Sequence, residues 1–211
     1  MPLDYSLYLV ADADYAAGRD LAGLVDAAVD GGVTVVQLRA KSLDKPAVIA
    51  LAAGIARRLG PKGVPLIVND HPDVAKACGA AGVHLGQEDM PVAFARRLLG
   101  PGATIGVSVN TADEARRAEL EGADYVGGGP AYATSTKEMA LAVLGPDGVG
   151  RIKRATGLPV VAIGGIAAAN AFEMARAGAD GIAVISAILG ASDVRRAAEE
   201  LLAAFKGPSS R

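Results

Sequence analysis

Gly122-Ala-Asp-Tyr-Val126 reads as the end of one helix and the start of one strand, and the chain repeats that junction. Gly31-Gly-Val33, Ala80-Ala-Gly-Val83 and Gly178-Ala-Asp-Gly-Ile182 have the same character. Glycine there provides the left-handed residue that stops a helix. Outward from these junctions, short Val/Ile/Leu runs alternate with longer Ala/Arg/Glu stretches of helical period. The strand candidates are Ser6–Val10, Val33–Leu38, Pro65–Val68, Gly82–Leu85, Thr104–Val107, Tyr125–Gly127, Val160–Ile163 and Gly181–Ile185. The helix candidates are Leu21–Asp30, Lys45–Leu59, Pro72–Cys78, Pro91–Leu99, Ala112–Glu121, Gly148–Ala155, Ala169–Ala177 and Val194–Phe205. The strands are near-continuous apolar runs, as parallel strands buried on both faces require. Either a closed barrel or an open doubly wound sheet fits such a row. A dinucleotide-binding open sheet wants G-x-G-x-x-G after its first strand. Here Val10 runs into Ala-Asp-Ala-Asp-Tyr15. The expected fold is therefore α/β, a single (β/α)8 TIM barrel over residues 1–206, with 207–211 as a loose tail.

Composition agrees. A chain of 211 residues fits one domain. It can bury roughly 70% of its unfolded surface without a disulfide or metal. Hydrophobic residues make up 51%, which excludes a disordered chain. With 21 basic and 23 acidic residues and no Trp, nothing suggests a nucleic-acid partner. The single cysteine, Cys78, excludes a disulfide framework and reads as a small core residue. The start, Met1-Pro-Leu-Asp-Tyr5, lacks a basic leader and apolar core. The longest uncharged stretch, Ala155–Phe172, is broken by glycines and Pro159, so it reads as strand plus loop and not as a membrane span. A soluble, cytoplasmic protein with no membrane partner is expected. A homo-oligomer is left open.

In such a barrel the active site lies at the carboxyl ends of the strands. Polar residues gather there: Gln37, Arg39 and Lys41; Asn69 and Asp70; His84 and Asp89; Ser108 and Asn110; the loop Gly128–Leu144; Gly164-Gly165; and Ile185-Ser186. Arg39, Lys41 and Lys137 together suit a polyanion, the guanidinium as a planar fork and the ammonium as a compact charge. A solvated rim pair is the plainer reading of Arg39 and Lys41. Asp70 and Asp89 suit Mg²⁺, which is commonly held by one or two carboxylates, waters and substrate phosphates. Equally, each stands where it can cap a following helix, at Pro72 and Pro91. Two histidines and no nearby cysteine disfavour zinc. Thr134-Ser-Thr-Lys137 is either a phosphate-gripping loop or a plain Ser/Thr-rich one. Gly164-Gly165 and Ile185-Ser186 match the usual phosphate site of these barrels. His84 is either a satisfied core histidine or a ligand contact; His71 is expected to be exposed. No Ser-His-Asp triad stands out.

Several segments resemble the thiamine-phosphate synthase family: Val36-Gln-Leu-Arg-Ala-Lys41, Val68-Asn-Asp70, Gly82-Val-His-Leu-Gly-Gln-Glu-Asp89, Ile105-Gly-Val-Ser108, Thr134-Ser-Thr-Lys137 and Ala162-Ile-Gly-Gly-Ile166. They run in order from the second strand almost to the end of the chain. The resemblance implies a transferase that joins hydroxymethylpyrimidine diphosphate to thiazole phosphate, or to its carboxylated form, giving thiamine phosphate and diphosphate. It implies Arg39, Lys41, Ser108 and Lys137 as diphosphate grips and Asp70 and Asp89 as Mg²⁺ ligands. It implies Gln37, Asn69 and His84 as pyrimidine contacts, and Thr134, Thr136, Gly165, Ile185 and Ser186 on the thiazole-phosphate side. The implied reaction is a dissociative, carbocation-like displacement, with the small-molecule substrates as the only partners. The related thiazole tautomerase looks like it uses a histidine where this chain has Asn110. An isomerase, a non-catalytic precursor-binding paralogue and a sugar-phosphate epimerase are the competing readings.

Overall fold

The computed structural model describes residues 3–134 and 142–207. Eight parallel strands close into a barrel in chain order, with β8 returning to β1. They are β1 (Leu7–Asp12), β2 (Val35–Arg39), β3 (Leu66–Asn69), β4 (Gly82–Leu85), β5 (Thr104–Val109), β6 (Tyr125–Gly128), β7 (Val160–Ile163) and β8 (Gly181–Val184). Around them run α1 (Leu21–Asp30), α2 (Lys45–Leu59), α3 (Pro72–Cys78), α4 (Val92–Leu99), α5 (Ala112–Leu120), α6 (Gly145–Ala155), α7 (Ala171–Arg176), α8 (Ser186–Leu189) and α9 (Val194–Lys206). Among the described residues no helix is long and apolar enough to cross a membrane. Residues 208–211 of the expected tail lie outside the described residues.

The expected barrel is the observed one, with shifted edges. β1 and β5 each run two residues further than their apolar runs, to Asp12 and Val109. Ladder hydrogen bonds carry the strand past the point where side chains turn polar. β8 ends at Val184 because Ile185 caps the four-residue α8, which is too short to show a period. α6 starts at Gly145, earlier than its Gly-Pro-Asp-Gly opening suggests.

Strand parity sorts the core into two layers. Leu7, Leu9 and Ala11 pack outward beneath the helices, while Tyr8 and Val10 pack inward. The inner cluster also contains Tyr5, Val35, Ile67, Tyr125, Val161 and Ala183. Each fully buried aliphatic side chain in either layer contributes roughly 1.5–3 kcal/mol before entropy is charged against it. Counting by twos from these residues puts Gln37, Arg39, Asn69, His84 and Ser108 on the inward side as well. The barrel interior thus turns polar towards the carboxyl ends of its strands.

Several helices start at side-chain caps. Asp44 accepts from Ala47 N at 2.9 Å, Asp193 from Arg196 N at 3.0 Å, and Thr111 forms a reciprocal capping box with Glu114. At the barrel's amino end, the aspartates of the repeated Gly-Ala-Asp junctions do a second job. Asp124 Oδ2 accepts from Ile105 N at 2.7 Å and pairs with Arg96; Asp180 Oδ2 accepts from Val160 N at 2.7 Å and pairs with Lys153. Each ties the start of a neighbouring strand.

Candidate active site

A cavity of about 660 Å³ opens at the carboxyl ends of the strands. Gln37, Arg39, Asn69, His84, Ser108, Thr134, Gly165, Ile185 and Ser186 all line it. Asn110 lines it too, but its Nδ2 donates to the Gly129 carbonyl, which ties the side chain to the β6 loop. Lys41, Asp70 and Asp89 stand outside this lining and form a cluster of their own on the rim. Thr136 and Lys137 lie outside the described residues.

The rim carries two charged groups. The β1–β2 register sets Asp12 beside Arg39, and the two form an ion pair at 2.5 Å. Asp12 is buried, and its other oxygen accepts from Asp14 N and Tyr15 N, both at 3.0 Å. Its acceptor sites are therefore filled and the guanidinium is held in one place. Lys41 Nζ reaches Asp70 Oδ2, and Asp89 stands beside Asp70. Neither aspartate caps the helix that follows it. His71 occupies the N-cap of α3 without a side-chain bond, and Asp89 Oδ2 instead accepts from Gly86 N at 2.6 Å, closing the turn after β4. Asp70 is the only described non-glycine residue with a left-handed backbone, at φ +62°. An aspartate tolerates that region better than most residues do, and an outlier of this kind is worth a functional reading.

Electrostatics splits the carboxyl pair. Burial pushes Asp70 up, but the Lys41 ammonium and the hydrogen bond from Asp89 outweigh it and hold the group below the ordinary carboxylate value. Asp89 is raised, first by burial and then by the hydrogen bond and charge of Asp70, with the Gly86 amide only partly offsetting them. Two carboxyls thus stand side by side with their proton affinities driven apart. Such a pair fits a hard divalent cation that takes its remaining ligands from waters and phosphate oxygens. Among the described residues no group of three or more His, Cys, Asp or Glu stands ready to hold a metal, so a self-sufficient cage is not what is built here.

The cavity floor carries a run of hydrogen-bonded side chains. Gln37 Nε2 donates to Tyr8 Oη at 2.8 Å, and the Tyr8 and Tyr125 hydroxyls meet at 2.8 Å. Tyr125 Oη lies 2.9 Å from His84 Nδ1, and His84 Nε2 lies 2.9 Å from Ser108 Oγ. Both ring nitrogens of His84 therefore face protein groups, and its ring packs against that of Tyr125. Burial raises Tyr8 and Tyr125 above the ordinary phenol value. Tyr8, Tyr125 and Asp12 were not singled out from sequence. Tyrosines inside apolar runs read as core, yet they share the inward parity of Gln37 and His84, and that parity is the signal that finds them.

The opposite wall is backbone. Gly164 and Gly165 adopt φ +102° and +65°. A Cβ on Gly165 would stand 2.5 Å from the Ala133 carbonyl oxygen. Ala131 N donates to Ile163 O at 2.8 Å and Tyr132 N to Gly164 O at 2.9 Å, so the β6 loop rests directly on this bare turn.

Comparison with known proteins shows the family. A family model described as thiamine monophosphate synthase matches residues 7–188. A thiamine-phosphate synthase from Chloroflexus aurantiacus is 49% identical over 201 residues, covering 95% of this chain and 93% of its own. Another from Albidiferax ferrireducens is 54% identical over 188 residues, covering 89% and 85%. Among solved structures, a thiamine phosphate pyrophosphorylase from Pyrococcus furiosus superposes with a TM-score of 0.87 at 37% identity, over 96% of both chains.

Proposed function

Because the chain belongs to the thiamine monophosphate synthase family, we propose that it is a transferase that joins hydroxymethylpyrimidine diphosphate to thiazole phosphate and releases diphosphate. The observation that carries this reading is two charged groups at the strand ends, Asp12–Arg39 and Lys41–Asp70–Asp89, set beside a cavity with a polar floor. A polyanion is stabilised at the rim while a flat heterocycle is received below it.

In this reading the bond from the pyrimidine's exocyclic carbon to the diphosphate oxygen breaks, and its electron pair leaves with the diphosphate. The thiazole nitrogen then gives its lone pair to that carbon. No proton changes hands, so the step asks no general base of the site. Arg39, Lys41, Ser108 and Lys137 grip the departing anion, where fixed donors act most strongly away from water. Asp70 and Asp89 would hold Mg²⁺, which when bound supplies further charge neutralisation at the diphosphate. Gln37 and Asn69 orient the pyrimidine through hydrogen bonds, and His84 contacts it. Thr134, Thr136, Gly165, Ile185 and Ser186 form the thiazole-phosphate side, where a carboxylated thiazole is a second candidate substrate. Holding both substrates in line can contribute roughly 7–11 kcal/mol of the barrier reduction. The cavity walls keep water from the carbocation.

The test is direct. Purified protein with Mg²⁺ and both substrates should form thiamine phosphate and stoichiometric diphosphate. Isomerised thiazole with no coupled product would turn the assignment to the isomerase, and no chemistry at all would turn it to a binding paralogue.

A further inference from the structure

Five side chains make one continuous hydrogen-bonded path through the barrel interior, from β2 through β1, β6 and β4 to β5: Gln37, Tyr8, Tyr125, His84 and Ser108. The site as proposed above uses only its two ends and the histidine ring. We propose that this path has a fixed direction, which makes Ser108 an outward hydrogen-bond donor to an anionic substrate oxygen and makes Tyr8 and Tyr125 positioning residues for the reaction. The proposal rests on the transferase reading and deepens it.

The direction follows from counting protons. A phenol has one proton to give and two lone pairs. Tyr8 is buried and receives the Gln37 amide, so its proton has one described acceptor, the Tyr125 oxygen. Tyr125 is fully buried and thereby keeps its own proton for His84 Nδ1. An imidazole that accepts at Nδ1 carries its proton on Nε2. That proton goes to Ser108 Oγ. The serine proton then has no acceptor left within the path, and Ser108 lines the cavity. The remaining hydroxyl proton points to where an anion sits.

The opposite direction has a different consequence. If the Gln37 carbonyl faced Tyr8, every proton would reverse, Ser108 would donate to His84, and its lone pairs would face the anion. The pair would then resemble the nucleophile–base arrangement of a hydrolase, with a tyrosine where a carboxylate would orient the base. The Gln37 amide is the switch between the two. It lines the cavity, and among the described residues nothing donates to its carbonyl oxygen. A heterocycle that places an N–H donor there holds the amide in the orientation seen here. A ring without that donor loses this support at one end and with it the aligned hydroxyl at the other. The path thus couples recognition of the ring to the grip on its diphosphate.

The packing is built for the path. A Cβ on Gly106 would stand 2.1 Å from Tyr125 Cζ, and one on Gly127 would stand 3.1 Å from His84 Cε1. The tyrosine lies against bare backbone, and the imidazole has room for one ring placement. Linked hydrogen bonds also polarise one another, so the last donor is stronger than an isolated hydroxyl.

Two measurements that need no turnover test the proposal, so a failed coupling assay leaves them readable. The chain has two histidines. Nitrogen-15 NMR of histidine-labelled protein, with His71→Gln to assign signals, should show His84 with a protonated Nε2 and a lone pair on Nδ1. A protonated Nδ1 with a lone pair on Nε2 would overturn the proposal. Calorimetry with inorganic diphosphate and Mg²⁺ provides the second reading. Ser108→Ala should weaken binding roughly tenfold, the size expected for a hydrogen bond to a charged group. Tyr8→Phe keeps the ring and should weaken it about two- to threefold in the unmodified protein, yet not at all in the Ser108→Ala background. An equal loss in both backgrounds would show that Tyr8 acts without Ser108, and the path would carry nothing.

Discussion

At the amino end of the barrel, Asp124 and Asp180 each hold a backbone amide and one cation. At the carboxyl end the amide and the cation are divided: Asp89 holds the Gly86 amide, Asp70 holds Lys41, and the two carboxyls face each other. The residue types are the same and the local chemistry differs. Below, every carboxylate oxygen that faces the strands has a donor, and the arrangement serves the fold. Above, two carboxyls meet with one raised and one lowered in affinity for protons, and one of them follows from a left-handed backbone. Two like charges in contact favour a neighbouring cation: Lys41 supplies one to Asp70, and the Mg²⁺ proposed above would serve both groups.

The largest effect that could break this contrast is at the rim. Asp70→Asn or Asp89→Asn should lower thiamine-phosphate formation by at least about a hundredfold, since each removes a charge that faces the leaving group's cation. Thermal stability should stay level or rise, because a like-charge contact is relieved. Steady-state kinetics and a melting curve on the same preparation check both. A variant that loses stability and keeps its rate would place the pair with the structural acids. At the other end, Asp124→Ala should do the reverse. It strips the buried Ile105 amide of its acceptor, which costs roughly 1–3 kcal/mol. In a chain of this size that is a fall of several degrees in Tm, with kcat unchanged. The half-buried Arg96 pairs with an exposed carboxylate and adds little, as surface pairs generally do.

The same contrast explains what could be read from the chain in advance. The barrel was legible because glycine stops and apolar runs recur at the right spacing, and the rim was legible because Arg39, Asn69 and Asp70 follow apolar strands directly. What was hidden is what depends on pairing across strands. Asp12 looks like a loop residue until the register places it beside Arg39. Tyr8 and Tyr125 look like ordinary core until the closed barrel brings their hydroxyls together. The helix-capping reading of Asp70 and Asp89 was reasonable from Pro72 and Pro91, but proximity in sequence says nothing of side-chain direction; one carboxylate turns to Lys41 and the other to the Gly86 amide. Lys137 and Thr136, prominent in sequence, lie beyond the described residues, and their roles rest on the family motif alone.

The smallest expected effect lies between the two ends, in the buried tyrosines. Tyr5, Tyr8 and Tyr125 are all raised above the ordinary phenol value, chiefly by burial. A raised group keeps its proton in the folded state while the unfolded chain releases it near pH 10. Its contribution is therefore complete below about pH 10 and drains away as the pH climbs towards the folded value. Urea unfolding followed between roughly pH 9 and 11 should show stability falling with a slope of up to three protons. Tyr8→Phe should make that slope shallower by about one proton, whatever it costs at neutral pH. The slope, and not the starting stability, is the useful quantity. A packing defect or a lost hydrogen bond lowers the curve everywhere, whereas loss of the phenol's proton changes the slope of its alkaline limb. An unchanged slope would mean that the hydroxyl is already open to water, and the barrel's middle would then belong with the rim, not with the satisfied amino end.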